Sequence, residues 1–356
     1  MTPMQIRDYG RMPDGRRIHE YTLDTGAGLR LSVIDLGGIV TRLEVPDARG
    51  DLANVVLALP TLDDYRLRNP HFGVIVGRYG NRIGQGSFSL DGEQYPLDVN
   101  DGANCLHGGA QGFGTQVWTV EPEADDCLCL RLTSPDGDQG FPGRLEVTVR
   151  YRLTGDREWR VDYEATTDRA TVVNLTHHDY FNLAGGGSAL GHELEMPASR
   201  YCEVAAGMIP TGIADVTGTP FDFRTPQRID ARIRQNHPQL QIAQGYDHSF
   251  VLDAPLDAPL DGASQPLRLA ARLRDPVSGR RMEVHTTEPA VQFYSGNFLN
   301  GSLASPEGQL YRQGDGVCLE TQHNPDSPHH EPSADWPSTV LRPGQTYRSQ
   351  TLHRFG

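Results

Sequence analysis

Leu145-Glu146-Val147-Thr148-Val149-Arg150-Tyr151-Arg152-Leu153-Thr154-Gly155-Asp156-Arg157-Glu158-Trp159-Arg160-Val161-Asp162-Tyr163-Glu164-Ala165 is the stretch that decides the architecture. Leu145, Val147, Val149, Tyr151 and Leu153 share one parity, and Trp159, Val161, Tyr163 and Ala165 repeat it beyond Thr154-Gly155-Asp156. Successive side chains of a strand point to opposite faces, so this period of two predicts a half-buried antiparallel pair joined by a tight turn. The pattern extends outward in both directions. Leu29, Leu31 and Val33 alternate with polar residues, and Phe88 and Leu90 lead through Asp91-Gly92 to Tyr95 and Leu97. Asp-Gly between apolar alternations predicts a two-residue hairpin, because both turn positions need positive φ. Frequent turns fit the 39 glycines and 25 prolines. Only Thr61–Leu67 and Gln227–Ile233 suggest short helices. The Asp253–Ser264 stretch, with its repeated Ala-Pro-Leu-Asp, suggests a surface loop.

No repeat of solenoid or propeller period and no Ser/Pro linker divides the 356 residues. We therefore expect an all-β protein: one large antiparallel sandwich over 1–356, able to leave a concave sheet face open to a ligand. Composition narrows the function classes. Lys+Arg 32 against Asp+Glu 46 gives a net charge of -14, the wrong sign for a phosphate-backbone partner, so no nucleic acid is expected. All the basic side chains are arginine, which excludes lysine Schiff bases and the P-loop. The amino-terminal MTPMQIRDYGRMPDG has no apolar segment of a secretory signal, and no run of apolar residues is long enough to span a bilayer. Cys105, Cys127, Cys129, Cys202 and Cys318 match neither a disulfide scaffold nor a zinc motif, which suits reduced thiols in a cytoplasmic protein. Cys127 and Cys129 fall on one face of a strand.

Six polar clusters stand in strand-like surroundings: Gly77-Arg78-Tyr79-Gly80-Asn81-Arg82-Ile83, Asn104-Cys105-Leu106-His107-Gly108-Gly109, Val172-Val173-Asn174-Leu175-Thr176-His177-His178-Asp179-Tyr180-Phe181-Asn182-Leu183, Gly245-Tyr246-Asp247-His248, Pro289-Ala290-Val291-Gln292-Phe293-Tyr294-Ser295-Gly296-Asn297 and Val317-Cys318-Leu319-Glu320-Thr321-Gln322-His323. Arg82 offers a planar fork of donors to a polar ligand. The glycines after His107 allow a close backbone approach, for instance by a ligand. In the third cluster His178 and Tyr180 share one strand face, and His177 and Asp179 share the other. Adjacent histidines on opposite faces make poor ligands for a single ion, so no metal is expected. Glu320 ends an apolar run, where a carboxylate calls either for an arginine partner or for a chemical task, and the residues alone leave both open.

Taken together and in this order, the clusters resemble the aldose 1-epimerase (galactose mutarotase) family over nearly the whole chain, from about Gly37 to the Leu341–Tyr347 segment. The resemblance implies a large β-sandwich and interconversion of the α and β anomers of a free aldose such as glucose or galactose, with no cofactor. It implies Glu320 as general base and His178 as general acid, with Arg82, His107, Asp247 and Gln292 holding sugar hydroxyls and Asn81 and Tyr180 nearby. A Glu320 carboxylate takes the C1 hydroxyl proton while a His178 imidazolium protonates the ring oxygen, and the roles reverse on closure. On this scheme Glu320 sets the acidic limb of the pH profile and His178 the basic one. His177 and Asp179 stand where the family usually has Asn and Ser, and strand alternation aims both away from the sugar. The competing readings are a glycoside hydrolase or lyase using Asp247 and Glu320, a non-catalytic sugar-binding protein, and a hexose-phosphate mutarotase drawing on Arg232/Arg234 or Arg280/Arg281. The partner expected is a small sugar, with no membrane, and the chain a monomer or weak homodimer.

Overall fold

The computed structural model describes residues 2–155, 157–253 and 266–356. The stretch quoted above forms strands Leu145–Thr154 and Glu158–Thr167, in register from Leu145↔Thr167 to Thr154↔Glu158. Leu145, Val147, Val149, Tyr151 and Leu153 are all buried, as are Trp159, Val161, Tyr163 and Ala165. Among the described residues these strands sit inside a nine-stranded sheet, which the C-terminal strand Tyr347–Phe355 joins to Arg281–Thr286 and Arg268–Arg274. A five-stranded sheet follows the order Pro210–Asp215, Arg200–Val204, Asp247–Val251, Ala290–Tyr294, Cys318–Gln322. A second five-stranded sheet is built from the amino-terminal residues, Thr2–Arg11 to Leu52–Asn54. One core cluster draws side chains from all three, among them Leu31, Tyr151, Trp159, Phe250 and Phe293. This is an all-β sandwich, stabilised chiefly by apolar area removed from water between sheet faces.

Local readings mostly hold. The Phe88–Leu97 region folds as strands Ser87–Leu90 and Glu93–Pro96 around Asp91 (φ 53) and Gly92 (φ 84), the two positive angles such a turn needs. Leu62–Arg68 is a helix whose first turn is capped by Thr61, which accepts from the Asp64 N–H. Gln227–Ile233 is not a helix. Gln227–Arg228 pairs with Glu193–Leu194 at the rim of the nine-stranded sheet, and a 3₁₀ turn over Ile229–Ala231 follows. An available strand edge outcompetes a weak helical pattern. The second α-helix among the described residues, Pro238–Ala243, had no clear periodic signal. The Asp253–Ser264 stretch lies, beyond Asp253, outside the described residues. All five cysteines are free and buried. No helix among the described residues is long and apolar enough to cross a membrane.

Candidate active site

The register of the five-stranded sheet that ends in Cys318–Gln322 gathers five chemically active side chains. Asp247 pairs with Tyr294 and Tyr294 with Cys318, while Ser249 pairs with Gln292 and Gln292 with Glu320. Residues directly opposite one another share a face, so Asp247, Gln292, Tyr294, Cys318 and Glu320 line one side. The alternate residues Phe250, Val291, Phe293 and Leu319 enter the core on the other. The apolar half of each motif thus anchors the strand, and the polar half is left to the site. Gln292 donates from Nε2 to Asp247 Oδ1 at 2.7 Å. Buried Gln292 Oε1 and Glu320 Oε2 have no partner. Buried acceptors without a donor mark either strain or a place for an incoming ligand.

The other half of the site comes from turns. His178 follows the short strand Thr176–His177 and is tied back by its N–H to the Val74 carbonyl at 3.0 Å. Its Nε2 lies 3.8 Å from Glu320 Oε1 and its Nδ1 3.6 Å from Cys318 Sγ. Tyr180 stacks on His178 at 5.1 Å and donates its hydroxyl to the Pro70 carbonyl at 3.1 Å. His107, with φ 52, receives the Asn81 N–H at Nδ1 (3.1 Å) and returns its own N–H to the Asn81 carbonyl (3.0 Å). Arg82 is oriented by Asp101, Nε to Oδ2 2.7 Å. These side chains surround an open cavity of about 440 Å³, within the ordinary range for a small-molecule site.

Burial governs the charges here. It pushes Glu320 well above the usual carboxylate range, with Asp247 adding to the rise, and pushes His178 well below the usual imidazole range. Burial thus disfavours the charged form of both groups. The pair drawn from the sequence, carboxylate and imidazolium, is the form that burial opposes on both sides. At 3.8 Å, without a hydrogen bond between them, the two groups offer little to offset that desolvation.

The family model for aldose 1-epimerases matches residues 19–354. Galactose mutarotase of Bos taurus is 40% identical over 354 residues, covering 98% of this chain and 97% of that protein. The chain belongs to the aldose 1-epimerase family. Aldose 1-epimerase of Escherichia coli is 37% identical over 345 residues, 96% of each chain. The crystal structure of galactose 1-epimerase from Lactobacillus acidophilus superposes with a TM-score of 0.83 at 29% identity, covering 99% of this chain and 98% of that one.

Of the residues the sequence singled out, the fold brings Asn81, Arg82, His107, His178, Tyr180, Asp247 and Glu320 to the cavity wall, and Gln292 stands behind Asp247. Other motif residues turn out to be scaffold. Asn174 bonds Gly80 and His323 backbone groups, and His323 pairs with Glu288 at 2.8 Å. His177 and Asp179 face the core, 2.6 Å apart, with His177 Nε2 2.8 Å from the Tyr151 hydroxyl. Asp179 thus partners His177 rather than the acid-base pair. The glycines after His107 make room for the protein itself: a Cβ on Gly108 would lie 2.1 Å from the Gly77 carbonyl oxygen, and one on Gly109 2.8 Å from Gln139 Oε1. Cys105 is buried, its thiol pushed up to about 12 by desolvation, and takes no part. Arg280 is consumed by the Val45, Leu183 and Asp51 carbonyls, and Arg232 donates to the Asp222 carbonyl and packs over the Phe223 ring; neither lines the cavity.

Sequence reading missed His71, Tyr294, Phe298, Leu303 and Tyr311 on the cavity wall. Tyr294 belonged to a quoted motif; His71 and Phe298 lie in turns, and Leu303 and Tyr311 in the short paired strands Asn300–Ala304 and Leu310–Arg312, too brief for a periodic signal. It also missed that His107, His178 and Glu320 bring one ligand atom each within 4.8 Å of one another, a His₂Glu set of the kind zinc accepts. The Asn81 N–H decides against that use. It occupies the Nδ1 lone pair, so the neutral His107 ring carries its proton on Nε2, where a metal would need a lone pair. His107 is thereby fixed as a donor toward a hydroxyl.

Proposed function

We propose that Glu320 and His178 perform the ring opening and closure by which this aldose 1-epimerase interconverts the α and β anomers of free aldoses such as glucose or galactose. The observation that supports it most is the 3.8 Å approach of Nε2 and Oε1, two unbonded proton carriers on one cavity wall. A sugar hydroxyl donating to the orphaned Glu320 Oε2 favours the carboxylate, and the displaced proton moves to His178. Glu320 then takes the C1 hydroxyl proton as His178 protonates the ring oxygen. The C1–O bond opens to the aldehyde, C1 turns about C1–C2, and the reverse transfers close the other anomer. Proton count is unchanged over the cycle, so nothing need be delivered from outside.

Arg82, His107 and Asp247 hold the remaining hydroxyls, Gln292 orients Asp247 from behind rather than touching the sugar, Asn81 sets the His107 tautomer and Tyr180 packs the acid. We read the chain as one domain acting in the cytoplasm as a monomer or weak homodimer. Polarimetry of freshly dissolved α-glucose or α-galactose tests the assignment: addition of the protein speeds decay of rotation over the buffer rate, and Glu320→Gln or His178→Asn returns it close to that rate. Full activity in either variant removes that residue from the mechanism.

A further inference from the structure

His71 belongs to none of the motifs above, yet it lines the catalytic cavity. It sits at the tip of the turn Asn69–Gly73 in the left-handed region, φ 71, a conformation unusual for a residue with a side chain. The turn is bound to the catalytic segment from both sides. The Gly73 N–H donates to the His178 carbonyl at 3.0 Å, and the Tyr180 hydroxyl donates to the Pro70 carbonyl. Within the turn, Asn69 Oδ1 accepts the Phe72 N–H at 2.6 Å, and Phe72 packs on Tyr180 at 4.6 Å. The result is an imidazole held 4.6 Å edge-on to His107 and 5.6 Å from His178, measured between ring centroids. Among the described residues neither ring nitrogen of His71 is hydrogen-bonded within the protein. Burial and the Arg82 cation push the ring down to about 4, so near neutrality it offers one donor and one acceptor and no charge.

We infer that His71 is a sugar-contacting specificity residue: its imidazole hydrogen-bonds one hydroxyl of the bound aldose, next to the hydroxyl held by His107. A strained backbone held by several independent bonds is the mark of a side chain whose position matters. His71 and His107 also line a smaller cavity of about 190 Å³, so the two rings together form the partition on one side of the sugar site. Polar atoms on such a wall fix ligand orientation and discriminate between hydroxyl patterns.

The inference rests on the mutarotase reading, and its test separates the two. His71→Phe keeps an aromatic edge against His107 and removes both nitrogens. His71→Asn suits the left-handed backbone and is too short to reach, which guards against misfolding of the first variant. Both are assayed by polarimetry on the preferred aldose and on its 2-, 3-, 4- and 6-deoxy analogues. Each variant should lose about fivefold in kcat/KM on the parent sugar, the scale of one neutral hydrogen bond, mainly through KM. For the one analogue lacking the contacted hydroxyl, wild type and variants should coincide. Equal loss on every analogue makes His71 a packing residue only, and no loss on the parent overturns the assignment outright. If the wild type does not accelerate mutarotation, the mutarotase reading fails, and the same comparison by calorimetric titration with the sugars still decides whether His71 binds one.

Discussion

Two buried histidine–glutamate pairs lie close together in this molecule, and they are built differently. His323 Nδ1 meets Glu288 Oε2 at 2.8 Å, and Tyr347 donates to the other Glu288 oxygen at 3.1 Å. His178 and Glu320 stop at 3.8 Å without a hydrogen bond, and one Glu320 oxygen has no partner. Glu320 and His323 are three residues apart in one segment, so the same backbone carries both arrangements. The satisfied pair is scaffold. The unsatisfied pair keeps its hydrogen-bonding capacity for something that arrives later, and the fold carries that cost at the site.

The largest effect should come from breaking the loose pair. Glu320→Gln and His178→Asn each lower kcat by roughly 10²- to 10⁴-fold, the usual value of a positioned proton carrier, with the folded state retained by circular dichroism. A loss below tenfold would return Glu320 to the scaffold class. Breaking the tight pair should do the opposite. Glu288→Ala leaves His323 and the Tyr347 hydroxyl without their acceptor in the core and should cost about 3–5 kcal/mol in urea unfolding, while the protein still folded keeps its turnover.

A third measurement sharpens the contrast through pH. Because the folded Glu320 binds its proton more tightly than the unfolded chain, whose carboxyl has the ordinary value of 4.5, its contribution to stability is complete below that value and is lost as pH rises toward the folded one. Glu320→Gln should match wild type in unfolding free energy near pH 4 and exceed it increasingly above, by at most about 1.4 kcal/mol per pH unit. A constant difference across pH would mean that the carboxyl is not held protonated. His178 runs the other way, its contribution present above the ordinary 6.5 and lost as pH falls toward its lowered value.

The smallest effect concerns the activity profile. On the proposed mechanism the active form holds one proton on the pair, so protonation of the depressed imidazole should set the acidic limb and ionisation of the elevated carboxyl the basic limb, both belonging to the pair as a whole. This exchanges the assignment that the sequence suggested. Asp247 helps hold Glu320 up. Asp247→Asn should therefore move the basic limb of kcat/KM to lower pH, besides raising KM by loss of a hydroxyl acceptor. An unmoved limb would assign it to another group.

Much of the site was readable because its residues lie in motifs with apolar neighbours. In Leu319-Glu320-Thr321 and Gln292-Phe293-Tyr294 the strand period alone puts acid and amide on one face and the core residues on the other, and the structure keeps that division. The same period separates His178 and Tyr180 from His177 and Asp179. What the period cannot supply is the environment. Whether Glu320 meets a cation, whether His107 has a free Nδ1, and what the glycines of Gly108-Gly109 approach all depend on segments far away in the chain. His71 was invisible for the same reason, being a turn residue whose importance arises only where that turn is bolted to the catalytic segment.

The sequence by itself determined the strands, their buried faces and the inventory of proton carriers, because alternation and turn chemistry are local properties of the chain. Only the tertiary structure decided which carboxylate is satisfied and which is left waiting, and therefore where each proton rests. Ionisation depends on the water excluded and the partners supplied by every element packed around a group, and those come together only when the sheets close.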